Sequence, residues 1–198
     1  MNKPSFIVID FETANYKNEP CQVGIVICEN GVITDRYETL ISLPKYSYID
    51  FKYTMIHNIY DEQLVGQPGF VEVCKKIKEK LQKGYVVIAH NAKFDMMVLK
   101  RAMQNNNIEM FDFDYACSVE IIRNSFPKRF LNHKLSTLAN ALNIKFNHHN
   151  ALADSEATCE VLLKCFNDHE SFLNALKHPK YILKKFTTYF NKKCHFHN

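Results

Sequence analysis

The chain has 198 residues, 46% hydrophobic and 23% charged, with 5 glycines, 6 prolines and a formal charge of +4. Such a chain is long enough for one domain with a sizeable core, and its composition excludes a disordered or low-complexity protein. No stretch approaches the roughly 18 apolar residues of a membrane helix, and the apolar run at residues 5–11 is too short for a signal peptide; a cytoplasmic protein without a membrane partner is expected.

Ser5–Phe11 is a continuous apolar run, as a strand buried on both faces should be. Gln22–Cys28 is a second strand and Val32–Ile41 a third, joined through the turn signal Asn30-Gly31. These three should be antiparallel neighbours. Phe70, Val73, Cys74, Ile77 and Leu81 recur at helical spacing with lysines and a glutamate between them, so an amphipathic helix follows. Tyr85–Ala89 is a short buried strand and Ala92–Gln104 a helix. Tyr115–Cys117 is a weak strand that leads into a helix from Ser118 to about Phe126. Leu135, Leu138, Ala139 and Leu142 mark another helix, and Leu152 through Phe166 a long one. Strands first, then helices alternating with strands, predict an α/β fold with a mixed sheet covered by helices.

All 21 acidic residues lie at or before Glu170, whereas Lys177, Lys180, Lys184, Lys185, Lys192 and Lys193 follow it. Two units are expected: a body over residues 1–170 and a basic extension over 171–198, helical in part through Tyr181–Phe190. A basic end on a near-neutral body fits attraction to a polyanion; a solvated helix face is the plain alternative. Seven cysteines without a C-x-x-C pair predict reduced, buried thiols. Cys194-His195-Phe196-His197 could hold a soft metal, but three ligands at a chain end read better as a frayed tail.

Four carboxylates stand in settings that can converge. Asp10 and Glu12 are two apart on a strand and share a face. Asp95 follows a buried strand at the start of a helix, and Asp154 lies in the first turn of the long late helix, where the dipole favours negative charge. Carboxylates gathered at one point repel unless cations neutralise them. Hard oxygen ligands of this kind suit Mg²⁺ or Mn²⁺. Other chemistries lack their signatures: there is no P-loop, no H-E-x-x-H and no G-x-S-x-G.

The segments Asp10-x-Glu12-Thr13, His90-Asn91-x-x-Phe94-Asp95 and His149-x-Ala151-x-x-Asp154 resemble the DEDDh exonucleases. That superfamily includes the proofreading subunit of DNA polymerase III, ribonuclease T and oligoribonuclease. Ile56-His57-Asn58-Ile59 is similar to its Ile-His-Gly-Ile segment, and the resemblance covers roughly residues 5–168. It implies a ribonuclease-H-like fold with a mixed five-stranded sheet flanked by helices. It implies a 3′→5′ exonuclease that releases nucleoside 5′-monophosphates with two divalent cations, Mg²⁺ or Mn²⁺. Asp10 would bridge the cations, Glu12 and Asp154 would bind one of them, Asp95 would act through water, and His149 would be the general base. His148, its neighbour, could be confused with it.

The same resemblance puts Thr13 at the terminal 3′-hydroxyl through its backbone N–H. Phe11 and Met55 become candidates to pack on the last base, with core packing the plainer role for Phe11. His57 is a candidate at the terminal nucleotide or a structural residue. Asn91 is a candidate beside the substrate or, with His90, an orienter of the metal loop. Two departures touch only the pocket wall: Ala14-Asn15 stands where Thr-Gly is common, and Asn58 where glycine is usual. Asparagine tolerates the left-handed backbone such a turn needs. The expected partners are single-stranded 3′ ends, DNA before RNA, since the whole pattern is closest to the proofreading type. A DNA polymerase is a candidate partner. An exoribonuclease is the alternative, separated by contacts to the 2′-hydroxyl, and a binding module that cuts little is a third reading. The sequence assigns no oligomeric state.

Overall fold

Strands β1 (Phe6–Thr13), β2 (Pro20–Glu29) and β3 (Val32–Leu40) form an antiparallel meander. The coordinates are a computed structural model that describes residues 2–177 and 183–186. The β2–β3 turn has Asn30 at φ 49° and Gly31 at φ 76°. Positive φ at both positions matches the strand twist of a tight hairpin, so this dipeptide sets the register. Two short helices, α1 (Phe51–His57) and α2 (Asp61–Leu64), precede α3 (Phe70–Leu81). Then β4 (Val87–Ala89), α4 (Lys93–Asn105) and β5 (Asp114–Cys117) follow. Helices α5 (Ser118–Ser125), α6 (Leu135–Ala141), α7 (Ala151–Cys165) and α8 (His169–Leu176) lead to β6 (Lys184–Lys185).

Among the described residues the sheet has six strands in the order β3-β2-β1-β4-β5-β6, one more than expected. β4 pairs parallel with β1 and β5 parallel with β4, each reached through a helical crossover. Side chains alternate across β1. Ile7, Ile9 and Phe11 face a core shared with α3 and α4, whereas Phe6 and Val8 face one shared with α5 to α8. Asp10 and Glu12 continue the second set, so both carboxylates point to the α7 side of the sheet.

Helix α7 lies unusually close to that face. A Cβ on Gly24 would come within 2.2 Å of the Ala151 carbonyl carbon. Only a residue without a side chain lets the N-terminus of α7 sit on β2 there. Ser155 Oγ fixes the contact by donating to Gly24 O at 3.0 Å.

The described end of the chain packs onto the body. Residue 170 falls inside α8, and Phe172 is fully buried with its ring 5.2 Å from that of Phe6. Within Tyr181–Phe190, expected to be helical in part, Lys184–Lys185 is a strand that pairs antiparallel with β5, and Phe186 is helical. The open edge of β5 offers unpaired backbone groups, and two ladder residues satisfy part of it. Phe186 is fully buried and stacks on Phe113 at 4.7 Å. Tyr181, Ile182, residues 187–190 and the Cys194–His197 cluster lie outside the described residues. No described helix is long and apolar enough to cross a membrane.

Candidate active site

Three elements bring the carboxylates together. Asp10 and Glu12 sit on β1 opposite Gly24 and Gln22 of β2. Asp154 lies in the first turn of α7. One carboxylate oxygen from each of Asp10, Glu12 and Asp154 lies within 4.8 Å of the others. Asp95 is the third residue of α4. The chain turns into α4 through Asn91, left-handed at φ 67°, whose carbonyl accepts from Phe94 N at 2.9 Å. Asp95 is buried; its Oδ1 accepts from Phe11 N at 3.2 Å, and its Oδ2 has no hydrogen-bond partner.

Burial and crowding hold Asp10, Glu12 and Asp95 far from their ordinary state. Asp10 is held well above the usual carboxylate range by desolvation, then by the charges of Asp95, Asp154 and Glu12. Glu12 is pushed up to about 7 by burial and by Asp154. Burial drives Asp95 to about 8. Four anions cannot coexist here without positive charge.

The histidines form a second layer. His149 has φ 68° and donates its backbone N–H to Asp154 Oδ2 at 3.2 Å. Its ring stacks on His148 at 3.8 Å, and desolvation lowers its basicity. His90 is driven down to about 4 by burial. Its ring bonds Ser118 Oγ at 2.9 Å and His133 O at 3.0 Å, so it is a neutral brace.

The RNase T exonuclease family model matches residues 7–162, most of the chain. The chain belongs to the exonuclease family. It is 29% identical over 193 residues to the 3′-5′ exonuclease DinG of Staphylococcus haemolyticus, covering 93% of this chain and 21% of that protein. It is 31% identical over 165 residues to the PolC-type DNA polymerase III of Caldanaerobacter subterraneus, covering 80% of this chain and 11% of that one. The chain thus spans a small part of the curated relatives it matches. Solved structures of similar fold include exonuclease X in complex with 5′-overhanging duplex DNA, with TM-score 0.65, 20% identity and coverage of 90% of this chain and 95% of that one. The nuclease domain of 3′hExo, a DEDDh family member bound to rAMP, follows at TM-score 0.70, 16% identity and coverage of 82% and 91%. The fold and family place this exonuclease in the DEDDh, DnaQ-like superfamily, whose hydrolysis uses divalent metal ions.

The residues of this chain fit such ions. Three carboxylates converge from β1 and α7, a fourth offers a buried oxygen without a partner, and all are hard donors. Histidines 148 and 149 with Asp154 form a second candidate group, which shares Asp154 with the first.

The substrate candidates separate. Thr13 is buried at the end of β1, and its carbonyl meets His57 Nε2 at 3.2 Å. His57 Nδ1 accepts from Ile59 N at 3.0 Å, so both ring nitrogens are used inside the protein and the ring is a brace between α1 and β1. Asn58 caps α1 at φ 57°, the left-handed conformation a glycine would supply. Met55 is 69% exposed on α1, the helix tied to Thr13, and remains available to a base. Asn91 is exposed at the turn into α4, four residues before Asp95. Phe11 requires correction. It is 3% exposed and packs in the α3–α4 core, on the face opposite Asp10 and Glu12. Alternation along β1 dictates that side.

Sequence reasoning missed Gln22, Glu38 and Asn150, which surround the start of α7. The signal was present: Gln22 is the one polar side chain in the run Cys21-Gln22-Val23-Gly24-Ile25-Val26-Ile27-Cys28, and it is 6% exposed.

Proposed function

We propose that this exonuclease hydrolyses single-stranded DNA from the 3′ end and releases nucleoside 5′-monophosphates. The observation that carries the reading is the convergence of Asp10, Glu12 and Asp154 beside the His149 turn. Asp10, Glu12 and Asp154 would hold Mg²⁺ or Mn²⁺, with Asp95 behind them. When bound, such cations neutralise the acids, acidify a water and stabilise the leaving oxygen.

The chain's own groups do the rest. His149 takes the proton of the attacking water as general base. Water oxygen adds to phosphorus, the bond to the 3′ oxygen of the preceding nucleotide breaks, and that oxygen leaves on the shortened strand. Asp95 accepts from the backbone at Phe11 and so steadies the strand end that presents Asp10 and Glu12. Thr13, fixed through His57, lines the place of the terminal 3′-hydroxyl.

The test is degradation of a 5′-labelled single-stranded DNA beside the same sequence in RNA, with EDTA and Asp10→Ala as controls. A ladder that shrinks from the 3′ end, absent in both controls, is expected. RNA cut more than about tenfold faster would replace the DNA assignment with an exoribonuclease. No cleavage of either would overturn the reading. The match within a PolC-type polymerase supports a proofreading or repair setting, with a DNA polymerase as partner; co-purification from cells tests that role.

A further inference from the structure

His149 sits in a left-handed backbone, φ 68°, that a residue with a Cβ avoids unless neighbours impose it. The next residue, Asn150, uses its amide twice. Its Oδ1 accepts from Ala153 N at 2.9 Å and caps α7, while its Nδ2 donates to Glu38 Oε1 at 2.7 Å. The same Glu38 oxygen accepts from Gln22 Nε2 at 2.9 Å. Gln22 Oε1 in turn accepts from Ala151 N at 3.1 Å. The bonds close a ring through β3, β2 and the first residues of α7.

Capping alone requires only Asn150 Oδ1. The other three bonds serve something else. Gln22 is buried and has both ends of its amide engaged, so its orientation is fixed. It lies opposite Glu12 across the β1–β2 ladder, and Glu38 lies opposite Gly24 across the next. The ring is therefore registered to the same strands that carry the carboxylates. One acceptor oxygen, Glu38 Oε1, thus joins the Gln22 and Asn150 amides.

We infer that Glu38 is a positioning residue for His149: through Gln22 and Asn150 it ties the His149–Ala151 turn to the sheet. The inference rests on His149 acting as the base of the proposed reaction. Proton transfer is sensitive to placement, and an error of about 1 Å can cost roughly a hundredfold. Glu38 itself is exposed and is not among the clustered metal-ligand candidates.

The test uses the full chain with Glu38→Ala and Glu38→Gln. Glutamine keeps the accepting oxygen; alanine removes it. Glu38→Ala should lower kcat on single-stranded DNA about tenfold with KM within about twofold, and Glu38→Gln should stay within about twofold of the parent. Mn²⁺ affinity, measured by calorimetry without nucleic acid, should not change in either. Amide exchange at Ala151 should quicken by roughly tenfold in Glu38→Ala only. Parental exchange and kcat in Glu38→Ala would overturn the inference. So would a loss of equal size in Glu38→Gln, which would assign the effect to charge, or a loss of Mn²⁺ affinity, which would assign it to the metal site. A parent that cuts neither DNA nor RNA would instead fail the proposed function, and exchange at Ala151 would still decide whether the tether exists.

Discussion

His148 Nδ1 lies 2.8 Å from Asp154 Oδ1, while the backbone N–H of His149 reaches Asp154 Oδ2 at 3.2 Å. Adjacent residues thus hold both oxygens of one carboxylate, one by its ring and the other by its backbone. The His149 ring stays free of that carboxylate contact, as a group that must meet water requires. His149→Ala should therefore cut turnover by about 10²–10⁴-fold and leave Mn²⁺ affinity nearly intact. His148→Ala should cost less, about tenfold at most, through loss of the stacked ring. Single-turnover rates on labelled DNA separate them; the reverse order would make His148 the base.

Metal should stabilise this fold. Burial and mutual repulsion hold Asp10 far from its ordinary ionisation, and a cation relieves both. At a hundredfold excess over Kd, Mg²⁺ or Mn²⁺ should add about 2.7 kcal/mol. Asp10→Asn should raise the melting temperature of the metal-free protein and abolish most of the metal-induced rise. Thermal denaturation with and without EDTA checks both halves.

The acids also set a pH slope. A carboxyl whose folded pKa is raised binds its proton more tightly in the native state, so stability falls as pH rises towards that pKa. Asp95 titrates near 8 and Glu12 near 7 when folded, against 3.8 and 4.5 ordinarily. Buried His90, driven to about 4, acts in the opposite sense, but only between 4 and 6.5. Above pH 6.5 His90 no longer offsets the acids, and between 6.5 and 8 the metal-free protein should lose on the order of 2 kcal/mol. Saturating Mn²⁺ should flatten that slope. Urea denaturation across this range, with and without metal, is the measurement.

Residues 183–186 belong to the folded unit by the burial of Phe186, which stacks on Phe113 at 4.7 Å. Phe186→Ala should cost about 3–5 kcal/mol in urea denaturation. A cost below about 1 kcal/mol would detach this segment from the nuclease core.

The three-stranded meander was legible because Asn30-Gly31 and the apolar runs around it specify a hairpin locally. The long helices were legible from their period. Helix α1 was not, because its buried residues are Thr54 and His57 while Phe51, Met55 and Ile56 are exposed, and α2 was not because four residues are too few to display a period. β6 was hidden for a different reason: two lysines become a strand only because β5 has an open edge. In the site, residue types and spacing singled out Asp10, Glu12, Asp95, Asp154 and His149. Strand alternation already sends Phe11 away from Asp10 and Glu12; spacing could not show which sheet face α7 covers. Nor could it reveal the Glu38–Gln22–Asn150 ring, whose members are 112 and 16 residues apart in sequence and meet only when α7 docks on β2.

Docking of α7 is itself testable at one atom. A Cβ on Gly24 would lie 2.2 Å from the Ala151 carbonyl carbon and 2.3 Å from its oxygen, both backbone atoms that no rotamer change can move. Gly24→Ala must therefore push the N-terminus of α7 off the sheet, and Asp154 and the His149 turn move with it. The variant should lose at least about 3 kcal/mol of stability, the upper end for overpacking. It should also lose most of its Mn²⁺ affinity, because Asp154 would leave the cluster formed with Asp10 and Glu12. Ser155→Ala breaks only the 3.0 Å bond to Gly24 O and should cost about 1 kcal/mol with the metal site intact. Calorimetric Mn²⁺ titration of both variants checks the claim: normal affinity in Gly24→Ala would mean that α7 can yield without carrying Asp154 away.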